Sequence, residues 1–566
     1  LSNHSYVQTD VVYDATAAGV DSIVRGDESY SGAKIPAHLA VWTSGNEGWD
    51  NQWQNEEGFF AVSAPAKNAL VLGSVDSNDN ALSFFSSRGP TFDNRLKPDV
   101  VAPGCQRGGD GGIMSTVADR YIDARPRNCD GTGDDYCEPY DTMCGTSMAA
   151  PATVGALSLA LEEYFALFET TTPPEPATLR VLAIHTATDL QLDYGAGGQF
   201  WNCPDLCGAD QTATSVISPT CALRYGPGPD YSTGYGLINV PRLVDQVAHK
   251  GLLEDSVSPS NTTDTYTVRV LPNRTEIKFT LAWDDEPGST TSAETSAKLV
   301  NDLDLTLTDP NGTVYHPWIL DPLTPNANPG SGGFDNIARA NLTDARRGVD
   351  RRNNVEQVSV VDGSGLPAGN WTVRVTANSL PTSKTQAYKL FGEYRQIQIT
   401  WAQSLTSTGF PIHAGSTSNP DKIVIRVKIE NPHVSPGYTR RYKKSDFAVE
   451  VGDPGAGAAW HAAQLLSVFQ AGGEVAIDIR PPTGLNAGQQ YDLRVTLVGI
   501  DDDTRADALQ FVQGDNVAGY WLTDTSGSMK GGKLTAAQEA GKALVDLLRN
   551  DDWVGAGRFE TFDHNL

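Results

Sequence analysis

This chain of 566 residues has no long apolar run, fewer basic than acidic side chains, and no cysteine after Cys221. No run approaches the roughly 18 apolar residues that a membrane-spanning helix needs, so no transmembrane segment is expected. Lys and Arg total 42 against 69 Asp and Glu, which leaves a net charge of −27. Because that charge repels phosphate backbones, the composition argues against nucleic acid as a partner.

Cysteine is confined to two local groups, and none follows the last of them. The groups are Cys105, Cys129, Cys137 and Cys144, then Cys203, Cys207 and Cys221. No paired Cys-x₂-Cys knuckles of a zinc site occur. Local pairing within long loops is typical of exported proteins, so we expect a secreted or cell-surface protein with one cysteine left over.

The hydrophobic pattern divides the chain into four parts, within the about three to five domains that this length allows. Residues 1–252 alternate strands and helices, which predicts an α/β domain with a parallel sheet. Residues 253–396 carry short alternating strands, typical of a β-sandwich or jelly-roll, and 397–512 form a second all-β stretch of Ig-like size. Residues 513–566 return to strand, helix and strand, and they end after one such unit, so we expect the chain to end inside a domain.

Gly145–Pro151 reads Gly-Thr-Ser-Met-Ala-Ala-Pro directly before an apolar helix. A weak hydroxyl nucleophile needs a rigid element of this kind, whereas Gly-Thr-Ser alone is more often a helix cap. Pro151 is expected in the first helical turn, where it removes no internal hydrogen bond.

The whole heptapeptide resembles the nucleophile segment of subtilisin-like (S8) serine peptidases. Leu96–Gly104 upstream, and Thr186–Asp189 with Gly234–Gly236 downstream, match the same pattern. The resemblance implies a subtilisin-like α/β fold and a serine endopeptidase. Such an enzyme hydrolyses proteins through an acyl-enzyme on Ser147, without a catalytic cofactor.

Ser44-Gly45-Asn46-Glu47-Gly48 follows a predicted strand and resembles the oxyanion segment of that family. It makes Asn46 the predicted side-chain donor to the oxyanion; the alternative is an Asn in a left-handed turn. By the same resemblance, Ser5, Tyr6 and Val7 form one wall of the primary specificity pocket, and Thr43, Ser44 and Gly45 form the other. Val7 stands where the family usually has Gly, so the family's specificity is not carried over.

The catalytic Asp and His of the family stand in Asp-Ser/Thr-Gly and His-Gly-Thr motifs, and neither motif occurs here. The nine histidines are interpreted as surface or packing residues. We therefore expect that about the first third of the catalytic domain precedes Leu1. We also expect that these 566 residues alone, as a fragment, are inactive at any useful rate. The long segment between Gly104 and Cys144 is either a substrate rim or a stapled surface loop.

Two acidic motifs in the later domains offer oxygen ligands for cations. Asp302 and Asp304 alternate on one predicted strand, in a region that resembles the β-barrel after some bacterial subtilisin-like catalytic domains. They form either a structural Ca²⁺ site or a solvated face.

The second motif is Asp524-x-Ser526-x-Ser528, which resembles the Mg²⁺-dependent adhesion motif of von Willebrand factor A domains. It is implied to be a metal site for a protein ligand of that A-type domain. The rival to the peptidase hypothesis is a non-catalytic adhesion or binding protein that uses this domain.

Overall fold

The computed structural model describes residues 1–566 except 8–10, 49–59, 107–110, 117–139, 169, 192–226, 248–250, 321–344, 382–383, 394–395, 403–411, 414–422, 431–441, 454–458, 472–473, 487–488, 499, 513–517, 525–552 and 560–566. The chain divides into two compact units, Leu1–Tyr394 and Arg395–Leu566. Each unit is described by itself below.

The first unit begins with an α/β part. Its strands are β1 (Ser2–His4), β2 (Ser29–Tyr30), β3 (Ala33–Lys34), β4 (Ala40–Thr43), β5 (Leu70–Asp76), β6 (Val100–Cys105), β7 (Ile113–Thr116) and β8 (Tyr140–Met143). Its helices are α1 (Ala15–Arg25), α2 (Thr146–Phe168), α3 (Pro176–Thr186) and α4 (Val240–Val247).

A parallel sheet of order β1-β4-β5-β6 organises this part and confirms the predicted fold class. Every residue of β4 and β5 is buried, as expected for strands covered on both faces. The carboxyl ends of β1, β4 and β6 therefore lie at one edge of the sheet, where α2 begins. The Asp14 carboxylate caps the start of α1 by accepting from the Ala17 N–H, and Gly26 ends that helix at a φ of 71°.

The rest of the first unit is a sandwich of two antiparallel four-stranded sheets, β10-β17-β12-β13 and β16-β11-β18-β9. Its strands are β9 (Leu252–Val257), β10 (Thr263–Val270), β11 (Glu276–Ala282), β12 (Asp302–Thr308), β13 (Val314–Tyr315), β14 (Trp318–Ile319), β15 (Arg346–Arg347), β16 (Val355–Val361), β17 (Gly369–Ser379) and β18 (Gln386–Phe391). Alternate residues of β10 face the core, in the period of two that the sequence predicted. Trp283 and Trp371 are fully buried between the sheets.

Buried charges join the sandwich to the α/β part within this unit. The Lys67 ammonium lies 2.6 Å from the Asp285 carboxylate, and both side chains have no exposed surface. Arg180 on α3 donates to the Trp283 carbonyl oxygen at 2.6 Å. The α/β part and the sandwich are thus packed against each other through buried ion pairs and hydrogen bonds.

The second unit contains two further sheets, β19-β21-β25-β24 and β20-β27-β26-β22-β23, and a parallel pair, β28 with β29. Its strands are β19 (Gln396–Ala402), β20 (Ile412–His413), β21 (Ile423–Glu430), β22 (Phe447–Gly452), β23 (Trp460–Ala462), β24 (Gln464–Ala471), β25 (Glu474–Arg480), β26 (Gln490–Leu497), β27 (Asp501–Val512), β28 (Ala518–Asp524) and β29 (Trp553–Phe559). The all-β character predicted for 397–512 is confirmed. Among the described helices of the whole chain, none is long and apolar enough to cross a membrane.

Candidate active site

Ser147 lies in the first turn of α2, at the carboxyl edge of the parallel sheet, and is half-buried. The preceding Gly145 is tied to the end of β6, because its N–H donates to the Gly104 carbonyl oxygen at 2.9 Å. Gly104 cannot carry a side chain, since a Cβ there would lie 2.6 Å from the Gly145 oxygen and 2.4 Å from Ser74 Oγ. The helix start is therefore fixed in position against the sheet.

Pro151 does not lie in the first helical turn as predicted: α2 begins at Thr146, so Pro151 is the sixth helical residue. It has no N–H, and the Ser147 carbonyl oxygen consequently lacks the helical donor four residues ahead. Ser5 Oγ supplies that hydrogen bond, at 2.8 Å. In return, Ser147 Oγ donates to the Ser5 carbonyl oxygen at 3.3 Å. No local sequence pattern predicts this reciprocal pair, which links the end of β1 to the nucleophile.

Asn46 follows β4 and faces Ser147 across the sheet edge. Its Oδ1 accepts two hydrogen bonds from Thr146, one from the backbone N–H at 2.9 Å and one from the hydroxyl at 2.8 Å. These two hydrogen bonds orient the Asn46 amide. Within the described part of the chain, Asn46 Nδ2 has no hydrogen-bond acceptor. A methyl group built on Gly145 would lie 3.4 Å from Asn46 Nδ2 and 3.5 Å from Ser147 N. The two predicted oxyanion donors thus flank one point beside Gly145.

The two predicted pocket walls lie next to each other because β1 and β4 are paired in parallel. Tyr6 and Val7 have 57% and 56% of their surface exposed at the end of β1. Thr43 and Ser44 are buried, and the Thr43 hydroxyl donates to Thr146 Oγ1. Any contact of residues 43–45 with a substrate would therefore come from their backbone.

His4 is the histidine nearest in sequence to the predicted wall, and its ring is already engaged. The imidazole stacks on Trp42 at 4.2 Å, and its nitrogens lie 2.8 Å from the Ser2 hydroxyl and the Tyr6 hydroxyl. Burial, with a smaller effect of nearby His38, lowers the pKa of His4. In the described residues, no imidazole or carboxylate is hydrogen-bonded to Ser147 Oγ.

A disulfide joins Cys105, at the end of β6, to Cys144, which directly precedes Gly145. The disulfide therefore joins the same two segments, the end of β6 and the residues before α2, that the Gly104–Gly145 hydrogen bond connects. This pair agrees with the local pairing expected from the sequence. Of the other cysteines, Cys129, Cys137, Cys203, Cys207 and Cys221 lie outside the described residues.

Replacing both Cys105 and Cys144 with alanine is expected to lower the free energy of unfolding by about 2–4 kcal/mol. The reason is that the bond closes a loop with a sequence separation of 39 residues. Guanidinium denaturation followed by tryptophan fluorescence measures the effect. The control is a reductant, which should lower the midpoint of the wild type more than that of the double variant. An unchanged denaturation midpoint in the double variant would show that the disulfide adds no stability.

The structure describes both carboxylates of the first predicted cation site but only one of the three residues of the second. Arg351 bridges Asp302, at 3.3 Å, and Asp304, so a guanidinium lies between the carboxylates considered as Ca²⁺ ligands. Burial raises the pKa of Asp302 to about 6. No group of three metal-binding side chains occurs in the described ranges. At the second site, Asp524 is the last residue of β28, while Ser526 and Ser528 lie outside the described residues.

Comparisons with known proteins place the α/β part in a family. Residues 2–206 match the model of the subtilase family, Peptidase_S8. The chain is 31% identical over 149 residues to the serine protease AprX of Bacillus subtilis (strain 168), covering 25% of this chain and 29% of AprX. It is 33% identical over 135 residues to the serine protease/ABC transporter B family protein tagB of Dictyostelium discoideum, covering 22% of this chain and 6% of tagB.

Among solved structures, fervidolysin from Fervidobacterium pennivorans, a keratinolytic enzyme related to subtilisin, is 15% identical with a TM-score of 0.22. The match covers 83% of this chain and 53% of fervidolysin. The chain spans less than a third of the length of AprX and of tagB. Residues 2–206 are a subtilase-family domain.

Proposed function

We propose that this chain, with its subtilase-family domain at residues 2–206, acts as a serine endopeptidase on proteins, with Ser147 as nucleophile and Asn46 as an oxyanion donor. One observation carries the proposal: Thr146 holds Asn46 so that its Nδ2 and the Ser147 backbone nitrogen both lie within 3.5 Å of one point beside Gly145. A helix cap needs neither the oriented amide nor the second donor. An acyl-transfer site needs both.

In the proposed mechanism, Ser147 Oγ attacks the scissile carbonyl carbon while a base takes its proton. The carbonyl oxygen becomes an oxyanion, which accepts hydrogen bonds from Asn46 Nδ2 and the Ser147 N–H. The protonated base then gives its proton to the leaving nitrogen, the C–N bond breaks and the amine departs. Water, deprotonated by the same base, hydrolyses the acyl-enzyme, and the proton returns to Ser147 Oγ. The family resemblance assigns the base to a histidine oriented by an aspartate. Among the described groups, the Ser147 hydroxyl is hydrogen-bonded only to the Ser5 carbonyl oxygen, so no described residue is assigned to that pair.

The exposed end of β1 supports a polypeptide substrate. Tyr6 and Val7 are exposed just beyond β1, the edge strand of the parallel sheet, and Ser5 ties this segment to Ser147. An extended peptide can add main-chain hydrogen bonds to such a segment. Gly45, with a φ of 107°, follows the neighbouring strand β4. We propose that this edge binds the acyl side of the substrate and that Val7 narrows the entrance to the specificity pocket.

Replacing Asn46 with alanine is expected to lower kcat by about 10²–10³-fold with KM nearly unchanged, a magnitude established with a subtilisin. The reason is that the oxyanion exists only on the reaction path and not in the bound substrate. The measurement is hydrolysis of a peptide p-nitroanilide by the protein as its cell produces it. Asn46→Asp keeps the acceptor for Thr146 but removes the Nδ2 donor, so it should lose a similar factor.

Asn311→Ala is the matched control, since Asn311 lies in an exposed turn of the sandwich and should leave kcat unchanged. A kcat within twofold of wild type for Asn46→Ala would refute the oxyanion assignment. A protein that hydrolyses no peptide bond, with Ser147 and Asn46 intact, would instead favour the adhesion hypothesis.

We further propose that 513–566 belong to a von Willebrand A-type domain that binds a protein ligand through Mg²⁺. The support is the parallel pairing of β28 with β29, which places Asp524 at a strand end. Secretion or cell-surface attachment is likewise proposed, supported by the Cys105–Cys144 disulfide.

A further inference from the structure

A second concave site lies within the first unit, and none of the residues discussed for the candidate active site lines it. It is a cavity of about 410 Å³ between helix α3 and the sheet that contains β11 and β16. Its apolar wall includes Ile184, Ala187, Trp318 and Val361. The volume falls in the range of cavities that hold small organic molecules.

Lys278 on β11 brings an unpaired charge to this cavity. It lines the cavity, and burial lowers the pKa of its ammonium group. Within the described residues, the ammonium takes part in no hydrogen bond or ion pair. Lys278 is partly buried, and a partly buried lysine without a hydrogen-bond partner is uncommon, because the desolvation of its charge is not compensated.

The four buried lysines among the described residues of this unit show how unusual that is. Lys67 pairs with Asp285 at 2.6 Å, and Lys97 pairs with Asp99 at 2.6 Å. Lys389 lies 2.8 Å from one carboxylate and 3.0 Å from another. Lys298 donates to two carbonyl oxygens and one hydroxyl. Each of these charges is compensated by protein groups, whereas the charge of Lys278 faces the cavity.

A second cation lies beside Lys278. The Arg347 guanidinium stacks 3.7 Å from the centroid of a Trp318 ring and donates to the Ser359 carbonyl oxygen. Ser359 is the residue directly opposite Lys278 in the ladder between β11 and β16. Burial lowers the pKa of Arg347 to about 10, and its hydrogen bonds go to carbonyl oxygens. The two cations therefore share one poorly hydrated wall.

Two carboxylates also line the cavity, and neither forms an ion pair with these cations. Asp189 accepts from the Gly228 N–H at 2.8 Å, and burial raises the pKa of its carboxyl group. Glu276 is exposed. Both carboxylates act on the Lys278 ammonium only through space. The wall thus presents two cations beside an aromatic and aliphatic surface, and an ammonium without a hydrogen-bond partner suits a monoanion better than a phosphate dianion.

We propose that this cavity binds a small organic carboxylate with an apolar or aromatic body. The carboxylate lies on the Lys278 ammonium, and the body packs against Trp318 and Ile184. A free organic acid and the C-terminus of a peptide share this chemistry. The proposal does not depend on peptidase activity.

The test is isothermal titration of the 566-residue chain with N-acetyl-L-phenylalanine and with its amide. The acid is expected to bind at least about tenfold more tightly, because only the acid offers a charge to Lys278. Lys278→Met is expected to remove that preference. Ala-Ala-Ala-Phe as the free acid distinguishes the two sources: binding at least as tight as the single residue indicates a peptide C-terminus, and weaker binding indicates a free acid.

Lys384→Met is the control, since Lys384 is exposed and lies on the same unit; it should leave both titrations unchanged. Without ligand, Lys278→Met should keep or raise the thermal midpoint, because it removes an uncompensated buried charge. If Lys278 had a structural role, the thermal midpoint of Lys278→Met would instead fall. Failure of the wild type to bind the acid at millimolar concentration, equal affinity for acid and amide, or unchanged binding in Lys278→Met would overturn the proposal.

Discussion

Replacing Ser147 with alanine is expected to lower the kcat for peptide hydrolysis by about 10⁶-fold, the size of the loss known for the nucleophile of subtilisin itself. Without Oγ no acyl-enzyme forms, and the rest of the site can only assist direct attack by water. The variant should fold normally. The Ser147 backbone keeps its hydrogen bond from Ser5 Oγ, and alanine is a good helix former. Hydrolysis of a p-nitroanilide substrate measures the loss.

Ser158→Ala is the matched control. Ser158 lies on the same helix, is exposed, and donates its hydroxyl to the Val154 carbonyl oxygen. It should keep wild-type kcat and KM. Retention of more than about one hundredth of the activity by Ser147→Ala would mean that another residue is the nucleophile, since direct attack by water cannot reach that rate.

Replacing Lys67 with methionine is expected to lower the stability of the first unit by about 3–5 kcal/mol. The Asp285 carboxylate would lose an ammonium at 2.6 Å and remain buried. Its remaining donors would be the N–H groups of Val300 and Asn301, each at 2.8 Å. Urea denaturation followed by tryptophan fluorescence measures the change, because Trp283 is buried beside this joint.

Lys384→Met offers a matched comparison, because Lys384 pairs with Glu286 at 3.0 Å while 69% exposed. Solvent screens such a pair, so its loss should cost no more than about 1 kcal/mol. Equal midpoints for the two variants would show that the buried joint contributes no more than a surface pair. The α/β part and the sandwich would then be separable in folding.

Periodicity was enough to predict the elements of both parts of the first unit. The apolar helix predicted after the heptapeptide runs over Thr146–Phe168, and the short alternating strands predicted for 253–396 include Thr263–Val270. Pro176 begins helix α3, in the first-turn position that proline favours.

Contacts between distant segments were not predictable in the same way. The heptapeptide identified Ser147, but the role of Thr146 in orienting Asn46 depends on residues 100 apart in sequence. The pairing of Ser5 with the carbonyl that Pro151 leaves free depends on a separation of 142. Nothing in the local pattern of β11 distinguishes Lys278 from a solvated lysine. Partners of this kind are decided by which strand ends the topology brings together.

The most direct test of the central hypothesis is labelling of the protein, as its cell produces it, with a fluorophosphonate probe. The adduct is then located by mass spectrometry of the digested protein. The proposed mechanism predicts one modified serine, Ser147, and strongly slowed labelling in Asn46→Ala, because the probe's phosphoryl oxygen takes the place of the oxyanion. Modification of a different serine, or no modification of a folded protein in which Ser147 is intact, would contradict it.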